Sequence, residues 1–200
     1  MQGDLSANVD LKDLAGEKHL YALGALEGLR GEVLILDGHP FISHVVEGSV
    51  VMDTSFDHRA SLLVRTPVRN WKPALLSDSP LSYKELEARI AQMAADSSIT
   101  EPFPFLLRGP VDSLSWHIID WPEGDTVHTH EKHREAGIRG TLAGAEVEIL
   151  GFYSTSHHGI ISHHTTDMHL HVRTADGRVA AHVDDVKTGG GMKILLRDED

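Results

Sequence analysis

The sequence predicts an α+β protein that is dominated by mixed or antiparallel β-sheet and has one main central helix. Two observations support this fold class: many short apolar runs are bounded by turn residues, and one stretch has helical periodicity. Many strands with a single helix are typical of the α+β class. We expect a single unit over residues 1–200, in which a loop at 65–80 could join two intertwined lobes at about 1–65 and 81–200.

Strand signals begin in the first quarter of the chain. The stretch 29–52, LRGEVLILDGHPFISHVVEGSVVM, has two apolar runs on either side of Asp37-Gly38, a dipeptide typical of hairpin turns. A short apolar run at 61–64 predicts another strand. The following stretch, 65–80, contains three prolines and is therefore predicted to be a loop.

One helix is predicted over residues 82–97. Ser82 and Glu85 have the spacing of a capping box, in which each side chain satisfies a backbone amide of the other residue. Apolar residues then recur on one helical face at Leu86, Ile90 and Met93.

Strand signals return after the helix and continue to the C-terminus. The predicted segments are two strands within 103–121 that are interrupted at Gly109-Pro110, a polar loop at 122–137, an alternating strand at 140–154 and a last strand at 191–196. A histidine-rich hairpin lies between the last two strands.

Composition and charge exclude several classes of function. Hydrophobic content of 40% and charged content of 24% are ordinary for a globular protein. A net charge of −12 argues against nucleic acid and anionic membrane surfaces as partners, because phosphate binding needs clustered Lys and Arg. The sequence has no apolar run of the roughly 20 residues that span a membrane, no recognisable secretory signal and no cysteine. We expect a cytoplasmic enzyme or binding protein.

Histidine is unusually abundant, with 15 copies, most of them after residue 116. Imidazole is the commonest protein metal ligand, so the excess indicates a metal site. In the stretch 169–185, HLHVRTADGRVAAHVDD, a hairpin turn at Asp176-Gly177 would place His171 opposite His182 and His169 opposite Asp184. Residues two apart on a strand, and their cross-strand partners, share one face of a sheet.

The hairpin therefore predicts a cluster of His169, His171 and His182 that could hold a divalent cation, Zn²⁺ or another transition metal. Three protein ligands leave coordination positions open for water or substrate, and Asp184 could orient a ligating ring. The alternative is a solvated His-x-His face that binds nothing.

Further histidines lie outside this pattern. His128, His130 and His133 could form a rival metal site, although their polar segment fits a flexible loop better. A second group flanks the hairpin and either lines the site or is exposed: His157, His158, His163 and His164.

The stretch 169–185 resembles the α-acetolactate decarboxylase family, in which a His-x-His strand, a ten-residue gap and a third histidine bind zinc. GTLAGAEVEILGFYS (140–154) and LEGLRGEVLILDGHPFI (26–42) resemble two further family patterns in the same order. The resemblance implies zinc bound by His169, His171 and His182, an acetolactate decarboxylase-like fold, and decarboxylation of a 2-hydroxy-3-keto acid, with acetolactate to acetoin as the family case. It also implies a homodimer.

Two departures from the family pattern concern the catalytic residues. The segment GPVDSLSWH (109–117) matches the family's arginine-bearing stretch but places His117 where the arginine would be. No glutamate is evident at the two positions where the family has one near the metal. We therefore take His117 as a candidate proton donor and Arg108 as a candidate bidentate ligand for a carboxylate. The alternative function is a metal-binding protein of the same fold that is a sensor or another metal-dependent enzyme.

Overall fold

A computed structural model describes residues 5–125, 132, 136–162 and 165–198. Within these residues the chain forms twelve strands, one α-helix and two short 3₁₀ helices, the latter at Leu11–Leu14 and Glu27–Leu29. The strands are β1 (Val9–Asp10), β2 (Leu20–Leu26), β3 (Glu32–Leu36), β4 (His39–Val46), β5 (Ser49–Asp53), β6 (Arg59–Pro67), β7 (Trp71–Leu75), β8 (Phe103–Ile118), β9 (Ile138–Tyr153), β10 (Met168–Thr174), β11 (Ala180–Thr188) and β12 (Lys193–Arg197). The helix, α1, spans Tyr83–Asp96. The predicted sheet-dominated α+β fold with one helix is confirmed, and all pairings between these strands are antiparallel.

The first sheet contains the N-terminal strands in the order β1-β6-β2-β3-β4-β5. The sequence prediction missed β2, whose seven residues, LYALGAL, are all buried. A strand that is covered on both faces loses the apolar–polar alternation by which an amphipathic strand is recognised. The turn at Asp37-Gly38 joins β3 to β4 as predicted.

The second sheet has the order β11-β10-β9-β8-β12-β7, and β11 also pairs with β8. The four strands β8, β9, β10 and β11 therefore close into a ring. Both β8 and β9 are sixteen residues long and pair along their length. The prediction that Gly109-Pro110 divides this segment into two strands is therefore wrong, because β8 continues through it. The closed ring places β11 beside β8.

The segment 65–80 also differs from its prediction as a loop. It contains the end of β6 and all of β7, which forms the edge of the second sheet beside β12. Pro73 is tolerated within β7 because an edge strand leaves one row of backbone amides without a ladder partner. The segment thus passes from the first sheet to the second.

Helix α1 packs on the second sheet. The predicted capping box is present, since the Ser82 amide donates to a Glu85 carboxylate oxygen at 2.8 Å. Leu86 and Ile90 are fully buried in the core enclosed by the ring and the helix. A separate apolar layer, which includes Leu34 and Leu150, lies between the two sheets. No helix among the described residues has the length and apolar character needed to traverse a bilayer.

The two sheets are joined by a buried hydrogen bond. The Ser43 hydroxyl on β4 donates to the Ala180 carbonyl on β11 at 2.6 Å, and Ser43 is completely buried. Ser43 is also the cross-strand partner of Glu32, so these two side chains share the face of the first sheet that is turned toward β11.

Candidate metal centre

The histidine hairpin has the predicted register. Strands β10 and β11 pair with His171 directly opposite His182, and the chain turns between Thr174 and Ala180. The ladder does not extend to His169 and Asp184, and a bulge displaces Asp184 from the regular register. The histidine positions therefore follow the alternation of the sequence, whereas the position of Asp184 does not.

Ligand atoms of His169, His171 and His182 all lie within 4.8 Å of one another. Their ring centroids are separated by 5.1 to 5.4 Å. Nitrogens bound to a tetrahedral zinc ion at about 2.0–2.1 Å are roughly 3.4 Å apart, so small side-chain rotations would bring the three rings to a common ion. The spacing and chemistry of this donor set fit a divalent metal.

The buried ring of His171 supports the same conclusion. It is fully buried, and neither ring nitrogen has a hydrogen-bond partner of good geometry among the described residues, although a weak polar contact with the Val33 backbone favours its protonated form. Burial lowers the pKa of His171 well below its usual value, and the neighbouring His169 and His117 rings lower it further. The ring is therefore held in the neutral form that a metal requires, with polar atoms that a metal would satisfy.

His117 lies beside this cluster because β8 pairs with β11. It is the cross-strand partner of His182, and the two ring centroids are 4.7 Å apart. The His117 Nδ1–H donates to the Asp184 carboxylate at 2.7 Å, which leaves Nε2 on the opposite side of the ring. Asp184 was expected to orient a ligating ring, but the bulge turns it toward His117 instead. Ligand atoms of His117, His182 and Asp184 also lie within 4.8 Å of one another, which gives an alternative donor set around His182.

Glu32 completes the site from the other sheet. It is 4% exposed, and its Oε1 accepts a hydrogen bond from the Ile119 amide at 3.0 Å. Its two carboxylate oxygens lie 3.9 Å from His117 Nε2 and 3.7 Å from His171 Nε2. Burial raises the pKa of Glu32 to about 7, against the opposing effects of the His117 charge and the Ile119 amide.

The sequence prediction found no glutamate at the two family positions; Glu32 lies at neither of them and was not among the predicted site residues. A signal for it was present, because Glu32 is an acidic residue at the start of the apolar run EVLIL. A carboxylate that must be buried together with such a strand is rarely retained unless it has a polar partner. Only the packing of the two sheets shows that the partners are histidines.

The pKa of His117 reflects these carboxylates. Burial alone would lower it, but the hydrogen bond to Asp184 and the negative charges of Glu32 and Asp184 raise it overall. His117 is therefore an imidazole that retains a proton more readily than usual and directs Nε2 toward the cluster. That combination suits a proton donor.

Arg108 lies elsewhere in the second sheet. It is paired across β8 and β9 with Glu148, and Glu148 is paired with Arg173 on β10. The Arg108 Nε–H donates to Glu148 Oε1 at 2.6 Å, and Arg108 Nη2 lies 2.6 Å from the same oxygen. This row is two residues further along β10 than His171, and Arg108 is two strands away, a separation of roughly 10 Å across the sheet. The predicted role of Arg108 in binding a carboxylate receives no support from this placement.

The remaining histidines are not part of the cluster as far as the structure describes them. His157 interacts with the Ser154 hydroxyl at 2.8 Å, and His158 pairs with Asp167 at 2.6 Å. Among the described residues, neither histidine belongs to a group of side chains that could bind a metal ion. His128, His130, His133, His163 and His164 lie outside the described residues.

Comparisons with known proteins agree with this architecture. The family model for alpha-acetolactate decarboxylase matches residues 1–197. The chain belongs to the alpha-acetolactate decarboxylase family. Family membership and fold together support a decarboxylase-like enzyme, with histidine clusters that could bind a metal. The comparison with curated protein sequences gives no match.

Two solved structures are similar to this chain in fold. The alpha-acetolactate decarboxylase of Bacillus subtilis strain 168 superimposes with a TM-score of 0.73 at 14% identity, over 98% of this chain and 80% of that one. A Staphylococcus aureus protein of unknown function, described as similar to alpha-acetolactate decarboxylase, gives a TM-score of 0.74 at 16% identity, over 100% of this chain and 82% of that one. At such low identity these structures show that the fold is shared, but they do not show which residues of this chain form the site.

Proposed function

We propose that this family member is a zinc-dependent decarboxylase of a small 2-hydroxy-3-keto acid, with acetolactate to acetoin as the first reaction to test. The proposal rests on one observation: several polar side chains meet where the two sheets are in contact. They are three histidines spaced as metal ligands, His117 with its hydrogen bond to Asp184, and the buried Glu32. Each of these groups has a use in decarboxylation.

His169, His171 and His182 would hold the ion. A bound divalent cation supplies a Lewis acid that stabilises negative charge developing on the hydroxyl and carbonyl oxygens of the substrate. Three neutral imidazoles leave the positive charge of the ion uncompensated and leave coordination positions open. A 2-hydroxy-3-keto acid presents two oxygens on adjacent carbons, so it suits such an arrangement.

Residues of this chain would donate the proton that the reaction needs and then replace it. The bond between the carboxylate and the hydroxyl-bearing carbon breaks, its electron pair moves toward the adjacent carbonyl, and carbon dioxide leaves an enediolate. His117 Nε2 then donates a proton to the carbon that lost the carboxylate, which gives the hydroxyketone. Asp184 holds the His117 ring through Nδ1 and stabilises its protonated form. Glu32, close to His117 Nε2, is placed to return a proton to that nitrogen.

The direct test measures acetoin and carbon dioxide released from racemic acetolactate by protein that holds one zinc ion per chain. Turnover should fall by at least a hundredfold in His117→Gln, because general acid catalysis typically contributes a factor of about 10² to 10⁴. The matched control is His158→Gln, since His158 pairs with Asp167 away from the cluster. Its turnover should equal that of the wild type.

The alternative function is metal binding without decarboxylation. The second donor set supports it, because a metal held by His117, His182 and Asp184 would occupy the imidazole that is needed as a proton donor. Fully metallated protein that released no acetoin, and whose metal content fell in His117→Gln, would favour this alternative.

A further inference from the structure

The metal cluster belongs to a longer row of side chains that crosses the ring of strands. His171 on β10 is paired with His182 on β11, His182 with His117 on β8, and His117 with Arg139 on β9. Directly opposed residues of antiparallel strands share a face and have Cβ atoms about 4.5–5.5 Å apart. The closure of the ring thus places one arginine in the same row as the metal ligands, directly beside His117.

The surroundings of Arg139 suit a ligand-binding residue. Arg139 is exposed, whereas His117 is largely buried, so the row leads from the buried cluster to solvent. Within the described residues the Arg139 guanidinium forms no ion pair and no hydrogen bond. Its positive charge does reach His117, whose pKa it lowers against the larger effects of the carboxylates. Arg139 is thus electrostatically coupled to the site without being neutralised by a described carboxylate.

Arg108 and Arg173, on neighbouring strands of the sheet, differ in this respect. Arg108 is bound to Glu148, and Arg173 lies near the same carboxylate while its guanidinium covers the Phe41 ring at 4.2 Å. Their charges are already compensated or stacked.

An anionic substrate meets a net charge of −12 on this protein, with Glu32 and Asp184 at the site itself. A guanidinium in the row of the metal ligands offsets part of this negative charge and can attract and orient a carboxylate.

We propose that Arg139 binds the carboxylate of the substrate and so makes the site selective for 2-hydroxy acids over uncharged hydroxyketones. The inference rests on the proposed function in taking the site to bind such an acid. A guanidinium presents a planar pair of donors that matches a carboxylate. With the carboxylate at Arg139, the hydroxyl-bearing carbon lies toward His117, the residue that would protonate it.

Kinetics should reflect this role in a specific way. The carboxylate loses its charge as carbon dioxide forms, so the contact with Arg139 is strongest before the reaction. Arg139→Gln should therefore raise KM by about tenfold or more, because it removes a charge-assisted hydrogen bond to the substrate. The value of kcat should stay the same or rise, since the lost interaction favours the bound substrate rather than the transition state. A purely structural arginine would not separate KM from kcat in this way.

The decisive experiment measures binding without turnover. Calorimetry would compare 2-hydroxy-2-methylpropanoate with its amide on zinc-loaded wild type, Arg139→Gln, Arg139→Lys and Arg65→Gln. Arg65 is the matched control because its guanidinium pairs with Glu17 on the first sheet. We expect Arg139→Gln to weaken binding of the acid by about tenfold and to leave the amide unchanged, with partial recovery in Arg139→Lys.

Three results would overturn the inference: equal binding of the acid by wild type and Arg139→Gln, equal weakening of acid and amide, or equal loss in Arg65→Gln. Failure of the proposed reaction is distinguishable, because the binding measurement involves no decarboxylation. A protein that discriminates acid from amide through Arg139 but releases no acetoin would keep this inference and refute the decarboxylase proposal.

Discussion

Removal of His171 should abolish the stabilisation of the protein by zinc. His171 is the fully buried member of the cluster, and its two ring nitrogens lack hydrogen bonds of good geometry among the described residues. A metal ion that is coordinated by this buried ring together with His169 and His182 binds the native state and not the unfolded chain. Zinc therefore has to raise the free energy of unfolding of the wild type and should not raise that of His171→Ala.

The size of the effect follows from linkage. A ligand at a hundred times its Kd contributes about 2.7 kcal/mol to the free energy of unfolding. For a protein of 150–250 residues, 1 kcal/mol shifts Tm by about 2–4 °C. Zinc should therefore raise the Tm of the wild type by about 5–10 °C at that concentration. Without metal, His171→Ala and the wild type will differ in Tm, because the substitution removes a buried ring. The quantity to compare is therefore the increase in Tm that zinc causes in each protein.

Thermal unfolding by circular dichroism, with and without zinc and after chelation, measures that increment, and elemental analysis gives the metal content. His158→Ala is the control, because His158 is also paired with a carboxylate but lies outside the cluster. An increment in His171→Ala that equals the increment in the wild type would refute the assignment of His171 as a ligand. An increment lost in His158→Ala would refute the location of the site.

Two further predictions concern the neighbours of the cluster. Asp184→Asn should lower the pKa of His117, because the charge and hydrogen bond of Asp184 raise it; histidine NMR titration of metal-free protein measures this, and an unchanged titration would contradict it. Ser43→Ala should lower the free energy of unfolding by about 1–3 kcal/mol, since it removes the buried bond to the Ala180 carbonyl, whereas the exposed Ser113→Ala should change it by less than about 0.5 kcal/mol. Chemical denaturation compares the two serine variants, and equal losses would contradict the prediction.

Local patterns in the sequence account for most of the second sheet and for the histidine cluster. A two-residue alternation and an Asp-Gly turn are enough to place His171 opposite His182, because both features act over a few residues. The capping box of α1 was predictable for the same reason. The histidine excess and the hairpin pattern predicted a metal site, the family resemblance implied zinc, and the structure provides a donor set that fits a divalent metal.

Other parts of the site depend on contacts between distant segments. The bulge at Asp184 arises where β11 pairs with β8, a pairing that no local pattern reveals. The pairing of His182 with His117, which brings Arg139 into the row of the metal ligands, likewise requires the closed ring. Glu32 reaches the histidines only because the first sheet packs on the second. In each case the sequence shows the residue, and the topology determines its neighbours.

Glu32 allows a direct test of whether the site is maintained at the expense of stability. Its pKa rises from 4.5 to about 7 on folding, mainly because the carboxylate is buried. At about 1.4 kcal/mol per pKa unit, the charged form destabilises the metal-free fold by roughly 3 kcal/mol. The neutral form contributes its full stability below pH 4.5, and that contribution is lost as the pH rises toward 7.

Glu32→Gln should therefore stabilise the metal-free protein at pH 8 by about 2–3 kcal/mol and have little effect at pH 4. Glutamine can still accept the hydrogen bond from the Ile119 amide, so the substitution removes charge without opening a cavity. Urea denaturation in the presence of a chelator measures both values, with the exposed Glu123→Gln as control. A gain at pH 8 together with lost turnover of the zinc-loaded variant would show that a carboxylate which destabilises the fold is retained for the reaction. A loss of stability at pH 8 would instead make Glu32 a structural partner of His117 and His171.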